Sequence, residues 1–300
     1  MKHANKEYRK YVESIKKSLS EYKKEKFPTL QDGYWRGKGG YRHILPRSCG
    51  VLNLLETYRD VFLKDDLSTI RFHQFFHHLN SSQAMCINFF FPLFFNRKLD
   101  IILDEWGLTE SILYDKAESE KESSIDNINA IQEKTPELQQ NDTIPTSFDF
   151  YFETAKKKFY FEIKYTEQRF GPAKKDKNTK KYLDKYKLKY ERIYKGAANG
   201  KIQQKYDNEK SFLGHYQIMR NLIHVDNDSY VIFVVPEGNE PVYKQAKRAK
   251  EDFVVEKYKE NVKVITWDEL YDVIAKHEHG FSEPLKTHFE EFKQKYKLKI

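Results

Sequence analysis

The sequence has very little cysteine and no long hydrophobic run. Only Cys49 and Cys86 occur among 300 residues, and neither has the spacing of a metal site. Their number does not indicate a disulfide scaffold, so we expect two reduced thiols in a cytoplasmic protein. The first residues, MKHANKEYRK, are polar, which predicts no secretory signal. The most apolar run, INFFFPLFF at 87–95, is too short to span a bilayer, so we expect buried core and no membrane partner.

Charge and aromatic residues are plentiful instead. Aromatic residues make up 15% of the chain, which favours a folded protein with a sizeable core in one large domain or two small ones. The formal net charge is +8, and residues 174–210 alone hold thirteen Lys/Arg against five Asp/Glu. A basic balance favours a polyanionic partner such as nucleic acid, although a merely soluble basic protein has the same composition.

Residue periodicity predicts a mixed α/β protein. The glycine-rich, basic stretch 33–46 predicts a loop, and a phosphate-contact role for it is the less favoured alternative. Asn80 or Ser81 is the expected N-cap of the helix over 80–95. Helices are predicted at 4–26, 51–63, 80–95, 211–225, 240–259 and 284–300, and strands near 112–115, in a hairpin within 146–168, and at 229–236 and 262–267. This order predicts a mixed sheet covered by helices on both faces.

The hairpin, TSFDFYFETAKKKFYFEIKYTEQ, contains charged residues inside two aromatic strands. Because alternate residues of a strand share a face, Phe148, Phe150 and Phe152 are expected on one face and Asp149 on the other. A turn centred on Ala155-Lys156 then aligns the aromatic residues of the two strands. The expected pairs are Phe150 with Phe161 and Phe152 with Phe159.

The same register sets Asp149 opposite Glu162, roughly 5 Å away, with Lys164 one step along the strand. Like charges in this position are unfavourable unless something compensates them, and a divalent cation does so. Two carboxylates plus water make a typical Mg²⁺ site, and the lysine ammonium can orient water or stabilise charge on a phosphate. The pattern favours metal-assisted phosphodiester hydrolysis. A solvated strand face with an ordinary ion network is the alternative.

Asp149 and Glu162-Ile163-Lys164 resemble the D…(D/E)-x-K signature of the PD-(D/E)XK nuclease superfamily. The stretches NSSQAMCINFFFPLF, FEIKYTEQRFG and HYQIMRNL also resemble mostly bacterial restriction-endonuclease-like proteins, over roughly residues 70–236. The resemblance implies an α/β fold with an αβββαβ core, whose mixed sheet is flanked by helices. We expect a nuclease core at 71–275, with an acidic insertion at 115–142 and a basic segment at 174–210. Residues 1–70 are predicted to be a helical extension packed on this core, and 276–300 a C-terminal helix.

The resemblance implies that Asp149, Glu162 and the carbonyl of Ile163 bind Mg²⁺, with Mn²⁺ as a substitute, and that Lys164 is the catalytic lysine. Gln168 is predicted to assist, with an exposed strand end as the alternative. Two departures are present. Phe148 stands where many members have proline. The first core helix offers Gln83 and Asn88 where many have glutamate, which puts a two-metal arrangement in doubt.

Further polar residues are predicted near the site. A supporting role is expected for Ser82, Gln83 and Gln217. DNA contacts are expected from Lys174, Lys175, Lys177, Lys180, Lys181 and Arg220. Tyrosines recur every four residues from 182 to 194, which is more typical of a packing stripe than of base stacking. His73, His77 and His78 have no third ligand at a known spacing, so a zinc site is disfavoured.

These features predict a Mg²⁺-dependent endonuclease acting on double-stranded DNA, of restriction type. A homodimer and a partner methyltransferase are further expectations from the resemblance. Two alternatives stay open. One is a non-catalytic nucleic-acid-binding protein on a nuclease-like fold, and the other is a structure-specific or RNA nuclease.

Overall fold

The structure, a computed structural model, describes residues 6–64, 70–123, 146–173 and 187–297. The strands are β1 (Gly33–Trp35), β2 (Lys38–Tyr41), β3 (Glu118–Ser123), β4 (Thr146–Glu153), β5 (Lys158–Ile163), β6 (Ser229–Val235) and β7 (Val262–Thr266). The α-helices are α1 (Lys6–Lys26), α2 (Glu56–Lys64), α3 (Ser82–Phe95), α4 (Asp100–Glu105), α5 (Lys195–Ala198), α6 (Glu209–Gly214), α7 (Tyr216–Leu222), α8 (Glu240–Arg248), α9 (Trp267–His277) and α10 (Glu283–Tyr296). Shorter 3₁₀ turns lie at Arg47–Asn53, Tyr114–Lys116, Glu256–Asn261 and Glu278–Gly280, and π-helical turns at Tyr190–Tyr194 and Ala249–Phe253.

Strands β3 to β7 form a mixed sheet in the order β3-β4-β5-β6-β7. The first three strands are antiparallel neighbours, whereas β5, β6 and β7 run parallel. Phe150 lies opposite Phe161 and Phe152 opposite Phe159, so the predicted register of the aromatic pairs is confirmed. The expected pair of Asp149 with Glu162 is not among the paired residues of the two strands. The mixed α/β architecture of a restriction-endonuclease-like fold is confirmed with it.

Helices cover both faces of the sheet, and each layer has its own apolar core. On one face α3 lies against the hairpin, where the ring of Phe90 stacks on Phe150 with 4.3 Å between centroids. That core also takes in Leu19 of α1 and Phe292 of α10, so both ends of the chain pack on the central fold. On the other face Met219 of α7 and Phe233 of β6 belong to a second core. The arrangement leaves the ends of β4 and β5 between the two helical layers.

The expected alternation in β4 is wrong at Phe148. Its ring lies 4.8 Å from Tyr160 and 5.3 Å from His224, whereas Phe150 packs in the core on the opposite face. The paired residues of β4 and β5 run from Glu153 only as far as Phe150. Just beyond this pair the Asp149 side chain accepts the backbone N–H of β5, which takes the place of a ladder bond. The strand therefore changes face at the residue that is predicted to bind metal.

Several element predictions need correction. Residues 33–41 form the β1–β2 hairpin rather than a loop. The strand expected near 112–115 lies later, at β3, inside the predicted acidic insertion, whose residues 124–142 lie outside the described residues. The helix expected over 211–225 is interrupted at His215, and α4 and α9 are helices for which no prediction was made.

Asn88 of α3 belongs to a polar cluster within the core, away from the sheet ends. It donates to the Asn53 carbonyl at 3.0 Å and to the Tyr296 hydroxyl at 2.9 Å. Lys295 donates to the Asn53 side chain at 2.6 Å in the same cluster. Because these bonds satisfy its amide, Asn88 stabilises the packing of α3 and α10 and does not face the candidate site.

Both cysteines of the chain are free thiols. Among the residues that the structure describes, no helix is long and apolar enough to cross a bilayer.

Candidate active site

A cleft of about 1040 Å³ opens beside the first half of β4 and the end of β5. One side is the start of α3 together with the segment 71–78, and the other includes Lys164 and Gln217. Its lining includes the polar and charged residues Arg47, Arg71, His73, Ser82, Gln83, Asp149, Lys164, Glu167 and Gln217. The predicted residues Asp149, Lys164, Ser82, Gln83 and Gln217 thus meet in one place, although the sequence spreads them over more than a hundred positions.

Asp149 is half-buried in the first half of β4. Its Oδ2 accepts the backbone N–H of Ile163 at 2.6 Å, and its own carbonyl accepts the Cys86 thiol at 3.4 Å. The first bond ties the carboxylate to β5, and the second ties the strand to α3. Asp149 is therefore fixed beside the Glu162-Ile163-Lys164 segment, as the motif requires.

Glu162 is the most restrained carboxylate of the cleft region. Its side chain is 2% exposed. Oε1 accepts the Gln217 amide at 2.7 Å, and Oε2 accepts the Asn221 amide at 2.9 Å. Gln217 and Asn221 are four residues apart on α7 and therefore share one helix face. This clamp holds a buried carboxylate in one orientation, as ligands of metal sites are usually held.

Lys164 donates to the Glu162 carboxylate and, at 3.3 Å, to the Ile163 carbonyl. Burial by itself lowers the pKa of this ammonium, but the carboxylates of Glu162, Asp149 and Glu167 outweigh burial and hold the pKa above its ordinary value. The amine also lies 5.3 Å from the Phe170 ring centroid. A charged ammonium thus compensates the acidic groups in the protein without metal.

The donor set fits a divalent cation of the Mg²⁺ type. The Lys164 ammonium contacts two of the three predicted ligands, the Glu162 carboxylate and the Ile163 carbonyl. These groups therefore already favour a positive charge beside them. Within the described ranges, no group of three or more His, Cys, Asp or Glu side chains is suited to hold a metal. Two carboxylates and a carbonyl suit Mg²⁺, which keeps several waters, better than zinc.

Ser82 and Gln83 connect the cleft walls. The Ser82 hydroxyl donates to Glu167 at 2.7 Å, and Glu167 in turn accepts the Tyr165 N–H at 2.7 Å. The Gln83 side chain accepts the His73 N–H at 2.8 Å and donates to the Arg71 carbonyl at 3.2 Å. Ser81 caps α3, as expected. These bonds position the segment 71–78 and the end of β5 relative to α3.

Two further predicted residues, Gln168 and Arg220, lie outside the cleft lining. Gln168 is exposed and does not line the cleft, whereas its neighbour Glu167 does. The guanidinium of Arg220 lies 5.2 Å from the Tyr216 ring centroid, also outside the cleft lining. Tyr190 and Tyr194 are buried against Phe212, which supports a packing stripe for this part of the tyrosine series. Lys174, Lys175, Lys177, Lys180 and Lys181 lie outside the described residues.

The histidines do not form a zinc site within the described part of the chain. The rings of His77 and His78 are 4.6 Å apart, and burial lowers the pKa of His78 to about 4. His77 is buried, whereas His78 is half-buried and lines the cleft. His73, by contrast, is exposed in the cleft wall.

Sequence reasoning missed Glu167, Arg47 and Arg71. Glu167 follows Lys164 by three residues and directly precedes Gln168. Its carboxylate accepts the Ser82 hydroxyl, for which it is a better acceptor than an amide. Both arginines are exposed in the cleft wall. No local pattern distinguishes them from other basic residues, because only tertiary packing brings them to the cleft.

Comparison with known proteins gives one family. A search of the curated proteins and a search of the solved structures each found no match. A family model described as "Restriction Endonuclease associating with ARP" matches residues 16–297, which is nearly the whole chain and includes every described part of the cleft. The chain belongs to this restriction endonuclease family.

Proposed function

We propose that the protein is a metal-dependent endonuclease that hydrolyses DNA phosphodiester bonds, acting on double-stranded DNA in the manner of a restriction enzyme. Membership of a restriction endonuclease family gives the coarser statement, a nuclease-like function. The observation that supports the finer one is the gathering of Asp149, Glu162 and Lys164 at the open side of the β4–β5 hairpin, away from its turn and beside an open cleft.

Asp149, Glu162 and the Ile163 carbonyl are the groups that would hold Mg²⁺ or Mn²⁺. When bound, the cation supplies charge stabilisation to phosphate oxygens and a more acidic water. Gln217 and Asn221 keep the Glu162 carboxylate oriented toward Lys164. Lys164 lines the cleft, so its ammonium can reach a phosphate oxygen and stabilise negative charge there.

The family description also names an associated protein, ARP, which we propose as a partner of this chain. Homodimerisation and a partner methyltransferase remain proposals from the resemblance alone. DNA contacts by the lysines of 174–181 are likewise proposed, because of their charge.

The test is nicking and linearisation of supercoiled plasmid with Mg²⁺, Mn²⁺ or EDTA, for the wild type and Glu162→Gln. Cleavage that needs metal and is lost in Glu162→Gln is the expected result. Glu21→Gln is a matched control, because Glu21 begins another Glu-x-Lys sequence but lies on the surface and pairs with Lys297. It should cleave like the wild type.

Calorimetric titration with Ca²⁺ gives a second readout that does not need activity. Wild type should bind the ion and Asp149→Asn should bind it far more weakly. Metal binding without cleavage of any DNA, with cleavage of an RNA substrate, would favour the RNA nuclease. If the protein binds DNA in a salt-sensitive way but neither binds metal nor cleaves DNA or RNA, the non-catalytic binding protein would be favoured.

A further inference from the structure

The β1–β2 hairpin projects from the fold without a role in either core. Every residue from Tyr34 to Gly40 is exposed, and Tyr34 and Trp35 are 69% and 37% exposed. The hairpin turns at Arg36-Gly37, both with positive φ, of 51° and 73°. Two positive φ values in a two-residue turn match the right-handed twist of the strands, which gives the tip a defined shape.

The hairpin is basic, and its aromatic rings are held in place. Arg36, Lys38 and Arg42 carry its charge, and residues 33–42 contain no acid. The Arg36 guanidinium lies 4.9 Å from the Trp35 ring centroid, and Trp35 packs edge-on against Tyr41 with centroids 6.2 Å apart. A side chain at Gly39 would come within 2.4 Å of the Tyr34 ring, so glycine there makes room for that ring.

Backbone hydrogen bonds tie the base of this hairpin to the cleft wall. Leu45 donates to the His77 carbonyl at 3.0 Å, and Leu79 donates to the His43 carbonyl at 3.1 Å. Burial lowers the pKa of the His77 imidazole, and the backbone of Tyr34, which lies near this ring, acts to raise that pKa by less. The segment that receives these bonds continues into Arg71 and His73 on one side and into α3 on the other, and both line the cleft. The hairpin is therefore fixed relative to Asp149 and Lys164.

We propose that the β1–β2 hairpin is a DNA-binding element that holds the duplex entering the cleft. This inference rests on the proposed function, because the duplex that it contacts is the substrate of that site. Arg36, Lys38 and Arg42 contact phosphates, and Trp35 and Tyr34 pack on sugars or base edges. A two-stranded ribbon fits the major groove of B-DNA, and a basic surface with exposed aromatic rings is complementary to nucleic acid.

The matched pair of test variants is Arg36→Gly and Arg97→Gly. Arg97 also has a positive φ, of 52°, and its guanidinium lies 5.4 Å from an aromatic ring, that of Tyr114. It follows the C-terminal end of the fourteen-residue α3, whereas the cleft is at the other end of that helix, about 20 Å away. Both substitutions remove one charge and one cation–π contact and relieve the same backbone strain.

Binding is measured by fluorescence anisotropy of a labelled mixed-sequence duplex in EDTA, over a series of salt concentrations. Arg36→Gly should weaken binding about three- to tenfold and reduce the slope of log K against log salt by about one. Arg97→Gly should bind like the wild type. Trp35→Ala should weaken binding at least about fivefold, and the melting temperature of each variant verifies its folding.

Tryptophan emission reports the contact directly. Trp267 is 1% exposed and Trp106 is half-buried, so Trp35 is the tryptophan most open to a ligand. Duplex DNA should change the emission of the wild type, and Trp35→Phe should abolish that change.

The outcomes separate the hairpin from the nuclease. If Arg36→Gly and Trp35→Ala bind the duplex with the affinity and salt slope of the wild type, the hairpin proposal is overturned. The nuclease proposal is not affected by that result. If the hairpin variants bind the duplex more weakly, as expected, but the wild type shows no metal-dependent cleavage of DNA, the hairpin is supported as a DNA-binding element. The DNA endonuclease proposal is then overturned. A wild type that binds no duplex at all overturns both.

Discussion

The buried pair Glu162–Lys164 makes Lys164→Met the most informative single change. Methionine keeps the length of the side chain but removes the charge, which leaves a carboxylate that is 2% exposed without its cation. The Gln217 and Asn221 amides still donate to this carboxylate, but they are neutral and do not offset its charge. The variant should therefore be less stable than the wild type in EDTA.

The size of the effect follows from the burial of the pair. Two unit charges in contact attract by roughly 5 kcal/mol at an effective dielectric constant near 20. Pairing offsets a desolvation cost of several kcal/mol for each ion, so breaking a buried pair costs about 3–5 kcal/mol. Taking about 3 kcal/mol, because the amides remain, the melting temperature should fall by roughly 5 °C in a chain of 300 residues.

The double variant Glu162→Gln with Lys164→Met removes both charges. It should lose much less stability than the sum of the two single variants, because no unpaired charge is left in the interior. A thermal-shift assay and urea unfolding in EDTA measure all four proteins of this cycle.

Metal supplies the second half of the test. In the proposed metal site, a divalent cation held by Asp149, Glu162 and the Ile163 carbonyl would replace the lost ammonium. At a concentration a hundred times its Kd for the variant, Mg²⁺ should raise the free energy of unfolding of Lys164→Met by about 2.7 kcal/mol. The wild type should gain less, because the ammonium contacts the same ligands. An unchanged midpoint for Lys164→Met in EDTA, or equal metal stabilisation of this variant and the double variant, would refute the reasoning.

Two further predictions concern the clamp and the buried histidines. Gln217→Ala should weaken Mn²⁺ binding and cleavage about 10–100-fold, because Glu162 loses an orienting donor; Gln245→Ala, which removes an acceptor for the Phe170 N–H instead, serves as the control. Burial lowers the pKa of His288 to about 4. The hydrogen bond to the Asn88 carbonyl raises this pKa by less than burial lowers it, and the charge of Lys295 lowers it slightly further. The unfolded chain therefore binds more protons between about pH 6.5 and pH 4, so stability should fall as pH is lowered through that window. His288→Asn should flatten the dependence of the unfolding free energy on pH, measured by urea titration at pH 7, 6 and 5; a slope equal to that of the wild type would contradict this assignment.

Much of the site could be predicted because its central contact is local. Asp149 and Glu162 are separated by one short turn, and the aromatic pairs Phe150–Phe161 and Phe152–Phe159 allow one register only. Ser81 as the cap of α3 is similarly local, since a capping side chain bonds to an amide three residues away. Family membership over residues 16–297 agrees with what these short-range patterns indicate.

Other features could not be predicted, because they depend on contacts between distant segments. Phe148 changes face where Asp149 bonds to the Ile163 N–H, and alternation along a strand contains no sign of it. The bond from Ser82 to Glu167 joins residues 85 positions apart. It forms because α3 packs across the end of β5.

The sequence by itself determined the register of the aromatic pairs, and with it the approach of Asp149 to the Glu162-Ile163-Lys164 segment. Periodicity and turn length fix such relations between residues that are close along the chain. Only the tertiary structure decided what surrounds them: the amide clamp of α7, the arginines of the opposite wall and the basic hairpin fixed beside the cleft. These depend on how helices pack on the two faces of the sheet, where side-chain shape and burial, rather than local pattern, select the partners.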